Sequence, residues 1–519
     1  MTKKITSFLY YFLIFILLII LTKGKENSLL LLKNKKDNLD ASVGSPFESS
    51  GSRARYALTE ALVEDKTLVL NEKRALFALP DVVSYKNKRF SVFTPGVAFF
   101  GLPFYFLGKF FGLSQIFTYF STALLALINT FLIAKLARKL GAGLYSAILS
   151  GFVFLFATNA LSYTLTYTQH QATTTLVLLA LLNLFGEKTL LKNIWLGALF
   201  GIGLLMDLSN AIILSPIVLA AIIKHFHFSK SKQGLKISLK LRVFQLIIGL
   251  LPFLGLFGWY NYQLTGSPIE IGQMVGRADY SVLEEAQKLN TQQTKDEKVF
   301  KIRLPFVTRK QLNGFYILLL SDERGWLFYS PILIMGFIGL ALLYKNKIIK
   351  NIILVLFSVC LINILAYSMF GDPWGGWAFG PRYLIPAAAI LCIGIGTALT
   401  KYRHNLLFNL IFLFLVTYSL AVNVIGAMTT TQVPPKVEAI NLATPIPYTY
   451  EYNIQLIKEG KISSLVYNLF LSNKITGQQF VTGYFVIVLI VVVFLFFGDH
   501  PFFTSAVEII KNRKLRQSK

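Results

Sequence analysis

The chain has 519 residues, 54% hydrophobic and 15% charged, with 51 Lys and Arg against 25 Asp and Glu and a net charge of +26. That composition excludes a soluble globular protein and points to a polytopic membrane protein. The positive excess does not signal nucleic acid, because the basic residues fall mostly in short segments between apolar runs, the pattern of cytoplasmic loops facing anionic lipid.

Residues 1–22 pair Lys3 and Lys4 with an unbroken apolar run that ends without a small-x-small cleavage site. They read as an uncleaved first span with a cytoplasmic N-terminus. Residues 23–114 form a long outer loop in which Ala57–Val63 is helical, with Leu58, Ala61 and Leu62 on one face. The run after Ser91–Gly96 is apolar, but Gly101, Pro103, Gly108 and Lys109 interrupt it. It reads as a helix lying at the membrane interface.

About eleven further spans follow, at roughly 115–134, 143–160, 171–186, 190–206, 208–223, 243–260, 326–344, 349–370, 383–400, 405–427 and 481–497. The expected architecture is therefore an all-α polytopic membrane protein of about 12 transmembrane helices. The charges support this count. Lys135, Arg138 and Lys139, then Lys188 and Lys192, Lys224 through Arg242, Lys345 to Lys350, and Lys401 and Arg403 all fall in inside loops, with a basic tail from Lys511 to Lys519. Almost all carboxylates fall on the other side, with Glu187, Asp499 and Glu508 as exceptions. A crossing at 93–111 would break the alternation at Lys135–Lys139. Two further segments, 261–325 and 428–480, are outer and too polar to span. The chain divides into a transmembrane domain over 1–427, with outer loops at 23–114 and 261–325, and a region over 428–519 comprising an outer loop, the last helix and the tail.

The unusual residues gather on the outer side. Gly371–Pro386, GDPWGGWAFGPRYLIP, sets Asp372, Trp374, Trp377, Arg382 and Tyr383 between two apolar runs. Charge near a bilayer is costly unless it faces water, a partner or a ligand. The alternative is an aromatic belt with one anchoring arginine. His170 stands at an outer helix end, as a site residue or as an interfacial histidine. Asp207 stands at an outer turn, as a ligand or as a cap for the next helix. Asp81 precedes the Ser91–Gly96 turn, and Arg324 closes the 261–325 loop.

A cavity at an outer membrane face suits a lipid-linked substrate. Arg382 can grip phosphate bidentately, the tryptophans can stack on sugars, and a carboxylate can take the proton of an acceptor hydroxyl. No GxxxxGK[ST] or strand-linked GxGxxG is present, so no ATP or dinucleotide site is visible. Cys360 and Cys392 lie within apolar runs, and the five histidines show no zinc spacing. No metal ligands or certain cofactor are assigned, although a divalent cation is compatible with the chemistry.

The order of Ser52-Arg53-Ala54-Arg55-Tyr56-Ala57-Leu58-Thr59-Glu60, Phe93-Thr94-Pro95-Gly96, Asn261–Pro268 and Trp374–Tyr383 resembles the integral-membrane GT-C glycosyltransferases, the superfamily of protein O-mannosyltransferases and lipid A aminoarabinose transferases. The resemblance implies a polyprenyl-phosphate-linked sugar as donor, a glycan, lipid or protein acceptor, and inverting transfer on the outer face of the plasma membrane. It also implies an acidic base early in the first outer loop. Ser52-Arg53-Ala54-Arg55 stands at that place, leaving Glu48 and Asp81 as the candidates. Asp81 is favoured, because Glu48 lies in a Gly/Ser-rich stretch expected to be mobile. Tyr56, His170, Asp207, Arg324, Asp372, Trp374, Trp377, Arg382 and Tyr383 are the candidate substrate-binding residues. The competing readings are a transporter or flippase of lipid-linked glycans, which calls for charged or broken helices at mid-membrane, and a structural scaffold, which calls for no polar cluster.

Overall fold

A computed structural model describes residues 2–24, 42–186, 189–224, 226–231, 234–239, 243–277 and 308–498. The basic tail and residues 278–307 of the second outer loop lie outside the described residues.

Each of the expected spans is a helix. The chain begins with α1 (Thr2–Ile20), followed by the loop helices α2 (Ser50–Glu60), α3 (Glu72–Ala78) and α4 (Gly96–Phe111). The next spans are α5 (Ser114–Lys139), α6 (Leu144–Phe156), α7 (His170–Asn183), α8 (Leu190–Met206), α9 (Asn210–Ile223) and α10 (Phe244–Thr265). The last are α11 (Leu333–Tyr344), α12 (Lys350–Ser368), α13 (Ile385–Tyr402), α14 (Leu406–Met428) and α15 (Gly477–Gly498). Among the described residues, six helices are long and apolar enough to cross a membrane, and most of the other spans are shorter apolar helices. Two spans are shorter than the apolar runs suggest. Ser330 and Pro331 break the 326–344 run, because proline has no N–H to continue a helix, and Trp326–Tyr329 stays a separate turn. The 143–160 run stops at Phe156, and Ala160–Thr164 follows as its own short helix.

The bundle is organised around α13. The span Arg382–Tyr402 is 89% buried, against 22% for Phe244–Thr265 at the periphery. A helix apolar on every face is suited to such a central position. Lipid is as apolar as leucine, so helices in a membrane associate through close backbone packing. Gly336 and Gly339 of α11 lie against the backbones of Leu391 and Gly394, and Gly197 of α8 and Gly249 of α10 press on Leu246 and Ile194. A side chain at any of these glycines would force the pair apart.

The loops of one end interlock. Leu465 N donates to Thr22 O at 2.7 Å, and the Tyr119 hydroxyl donates to Lys23 O at 2.9 Å. Tyr367, at the end of α12, donates to Ser209, at the start of α9, at 2.9 Å. Helix α4 belongs wholly to this end. Its Gly96 meets the Leu205–Met206 backbone where α8 finishes, and its Gly108 meets Leu113 and Ser114 where α5 begins. It therefore does not cross, as the charge alternation requires. Beside it, β1 (Val82–Tyr85) and β2 (Lys88–Ser91) pair antiparallel through a turn with positive φ at Lys86 and Asn87. Lys88 Nζ caps the C-terminus of α10 by donating to Gln263 O at 2.7 Å.

The segment 261–325 is expected to be outer and too polar to span. Within it the structure has a further apolar helical stretch, Gln311–Leu320, with Leu312, Tyr316 and Leu320 exposed. Its Gly314 packs on the Ser368 backbone at the end of α12. Ten residues are too few to cross hydrocarbon, which is why the run does not register as a span.

Candidate active site

The Trp-rich loop owes its path to glycine. Gly375, Gly376 and Gly380 have φ of +74°, +64° and +62°, a region open to glycine and costly for other residues. A Cβ on Gly375 would stand 2.8 Å from Arg382 Nε and 3.2 Å from the Tyr383 ring, so only glycine lets both side chains tuck beneath the loop. Asp372 Oδ1 accepts from Gly375 N at 3.1 Å and closes the turn.

Arg324 holds this loop from below. Its Nε donates to Trp374 O at 3.2 Å, its Nη2 to Val433 O at 2.8 Å and Gly376 O at 3.3 Å, and its Nη1 to Glu323 O at 2.7 Å. The side chain is fully buried, and each guanidinium nitrogen is engaged on a carbonyl. Arg324 is thus placed as a clamp on the loop rather than as a group facing a ligand. Trp377 Nε1 donates to Glu438 Oε2 at 2.6 Å, tying the loop to the segment after α14. Trp374 Nε1 is buried without an acceptor among the described residues.

Arg382 lies among aromatic rings. Tyr383 stacks on Tyr367 with centroids 4.3 Å apart and planes 5° apart. His170 sits edge-on to Tyr163 at 5.2 Å and to Tyr383 at 6.3 Å, within electrostatic reach of both Arg382 and Arg55. Asp207 Oδ1 accepts from Ser209 N at 2.9 Å and Ser209 Oγ at 2.7 Å, and Ser209 in turn accepts from Tyr367. Asp207 therefore fills the turn-forming role that opens α9, and its charge still reaches Arg55.

Arg55, which is not among the expected site residues, lies in the Ser52–Glu60 segment that carries the resemblance. It is 2% exposed, donates to Gly51 O at 2.8 Å and Gln169 Oε1 at 2.7 Å, and lies 3.8 Å over the Phe93 ring. Burial pushes its guanidinium down to about 10, with Asp207 and Asp81 opposing that push and Arg382 adding to it. Among the described residues, neither Arg55 Nε nor Arg382 Nε, both buried, has an acceptor. Buried N–H donors on cations are expensive to leave unmatched. Arg55 and Arg382 lie within electrostatic reach of each other, and an anion between them would supply the acceptors that these two atoms lack.

Asp81 lies at the start of β1, 2% exposed, with its backbone fixed by Ala78 O at 3.0 Å and Val92 N at 3.1 Å. Its Oδ1 stands 2.8 Å from Arg277 Nη2. The structure brings Asp81, Arg55, Asp207, Arg382 and His170 into one electrostatic neighbourhood.

Glu48 is enclosed by hydrogen-bond donors and Tyr56 by packed rings. Glu48 accepts from Lys23 Nζ at 2.6 Å, and from Gly44 N, Thr430 Oγ1, Thr431 N and Thr431 Oγ1, each at 2.8 Å. Both oxygens are saturated, so the stretch expected to be mobile is pinned at this residue. Tyr56 is fully buried and stacks on Phe47 at 4.2 Å as a packing residue. Among the described residues, no three His, Cys, Asp or Glu side chains gather as a metal site.

No family model and no curated protein matches the sequence. Among solved structures, the chain is similar to ArnT from Cupriavidus metallidurans in the apo state, with 12% identity and a TM-score of 0.47 over 96% of this chain and 78% of that one. For the same protein bound to undecaprenyl phosphate the values are 13% and 0.43, over 86% and 72%. For the Archaeoglobus fulgidus oligosaccharyltransferase in complex with Zn and sulfate they are 14% and 0.41, over 82% of this chain and 54% of that one.

Proposed function

We propose that this chain is a membrane glycosyltransferase that moves a sugar from a polyprenyl-phosphate donor to an acceptor on the non-cytoplasmic face of the plasma membrane. The observation that carries the reading is that Arg55 Nε and Arg382 Nε, both buried with no acceptor among the described residues, lie at one end of an apolar bundle with Asp81 within electrostatic reach of Arg55. A lipid phosphate supplies the acceptors those donors lack, and its polyprenyl tail stays among the helices. Asp81 then takes the proton of the acceptor hydroxyl as that oxygen attacks the anomeric carbon. The C–O bond to phosphate breaks, and Arg55 and Arg382 stabilise the departing phosphate. His170 and Tyr383 line the same neighbourhood. Trp374 offers an apolar face and an N–H to the sugar.

The charged groups gather at one end of the bundle, which favours an enzyme at a membrane face over a transporter with charges at mid-depth. The test is to supply the purified protein in nanodiscs with polyprenyl-phosphate-linked sugars and measure release of polyprenyl phosphate. Release that depends on an added acceptor supports the reading. Release no faster than in empty nanodiscs, across the common donor sugars, contradicts it.

A further inference from the structure

The ion pair between Asp81 and Arg277 is unequal. The Asp81 side chain is 3% exposed and fixed at the head of β1, whereas Arg277 is 62% exposed. Arg277 follows the short helix Gly272–Val275, whose first residue, Gly272, packs on Phe90 and on the backbone of Ser91 and Val92. Between that helix and Arg277 stands Gly276, with φ of +99° and no described residue within 4 Å of where a Cβ would be. The arginine can therefore swing about Gly276 while the helix stays seated on β2.

A pair with one partner this exposed is weak, because water and salt screen it. A guanidinium on phosphate makes a stronger, forked contact. While Arg277 Nη2 stands 2.8 Å from Asp81 Oδ1, it also occupies the side from which an acceptor hydroxyl would have to reach that oxygen. We propose that Arg277 exchanges partners, leaving Asp81 for the phosphate of the arriving donor, so that donor binding itself frees the base. This rests on the transferase reading above. It makes Arg277 a ligand of the phosphate and a positioning residue for Asp81, and it makes deprotection of Asp81 conditional on a phosphate being present.

The test is a double-mutant cycle read by binding of a polyprenyl phosphate in nanodiscs, with no sugar transfer involved. Arg277→Gln should weaken binding about tenfold, and Arg277→Lys by less, since the charge remains without the fork. Asp81→Asn should tighten binding severalfold in the native background, because Arg277 no longer has to be drawn away. In the Arg277→Gln background, Asp81→Asn should tighten it little. If Asp81→Asn tightens binding equally in both backgrounds, the effect is simple repulsion between carboxylate and phosphate, and the exchange is refuted. Native binding by Arg277→Gln refutes it as well, and Arg277 is exposed enough for that variant to fold. Sugar transfer absent from the wild type would overturn the transferase reading while leaving the cycle intact. Transfer present with an additive cycle would overturn the exchange alone.

Discussion

Lys23 Nζ lies 2.6 Å from Glu48 Oε1, and both side chains are sealed from solvent. The pair joins the end of α1 to the first long loop, and Thr430 and Thr431 beyond α14 complete its hydrogen bonding. Burial by itself would raise the Glu48 pKa, but Lys23 and the backbone donors of Thr431 and Gly44 outweigh it, and the carboxyl is held below its usual range. A carboxyl lowered in this way contributes stability that is present above the ordinary carboxylate pKa and lost as pH falls through the folded value. Glu48→Gln should cost about 3 kcal/mol or more, because it leaves Lys23 buried without a counter-charge. Thermal melts should show the loss at neutral pH and a smaller gap between variant and wild type in acid. A native melting temperature would remove Glu48 from this structural role.

Arg324 should likewise be read by loop order. Arg324→Lys cannot reach Trp374 O, Gly376 O and Val433 O together, and lost hydrogen bonds to a charged group cost about 2 kcal/mol. The expected result is faster proteolysis within 371–381 and greater quenching of tryptophan fluorescence by iodide. Protection equal to that of the wild type would return Arg324 to the list of substrate ligands.

Arg55 and Arg382 should act as one anion site. Arg55→Lys and Arg382→Lys should each weaken polyprenyl phosphate binding by roughly tenfold or more, since an ammonium cannot reproduce the planar fork. Combining them should cost less than the product of the two, as expected for groups sharing one ligand. Equilibrium binding in nanodiscs decides this. Native affinity in both single variants would leave the two arginines as structural cations.

The sidedness of the bundle can be tested with single cysteines. Lys109 is exposed at the end of the bundle that holds the site, and Lys139 is exposed at the far end of α5. Lys109→Cys should react with an impermeant maleimide added to intact cells, and Lys139→Cys only after lysis. The reverse pattern would turn the site toward the cytoplasm.

The membrane architecture was legible in the sequence because apolar runs and basic loops are local signals. The interfacial placement of 93–111 followed from the interruptions at Gly101, Pro103, Gly108 and Lys109 and, more strongly, from charge alternation. Glu48 was not legible: its Thr430 partner is 382 residues away, and a Gly/Ser-rich stretch looks mobile until that distant chain closes on it. The carbonyl partners of Arg324 were not legible for a similar reason, since a buried arginine clamping carbonyls and one awaiting phosphate have the same sequence signature. The helix Gln311–Leu320 was missed because a ten-residue apolar stretch within a polar segment falls below the length that marks a span. Arg55 had a usable signal, since Ser52-Arg53-Ala54-Arg55 placed an arginine where a carboxylate was sought. A cation so near the expected base could have been read as a phosphate ligand.

The central claim is that Asp81 takes the proton of the acceptor. The most direct measurement is sugar transfer from a polyprenyl-phosphate donor in nanodiscs by the wild type, Asp81→Asn and Glu48→Gln, with donor binding followed in parallel. Removing a general base lowers turnover by roughly a hundredfold or more. Asp81→Asn should show that loss while still binding the donor. Glu48→Gln should keep its turnover at temperatures where it remains folded. Native turnover in Asp81→Asn, together with loss of turnover in folded Glu48→Gln, would contradict the account and move the base to Glu48.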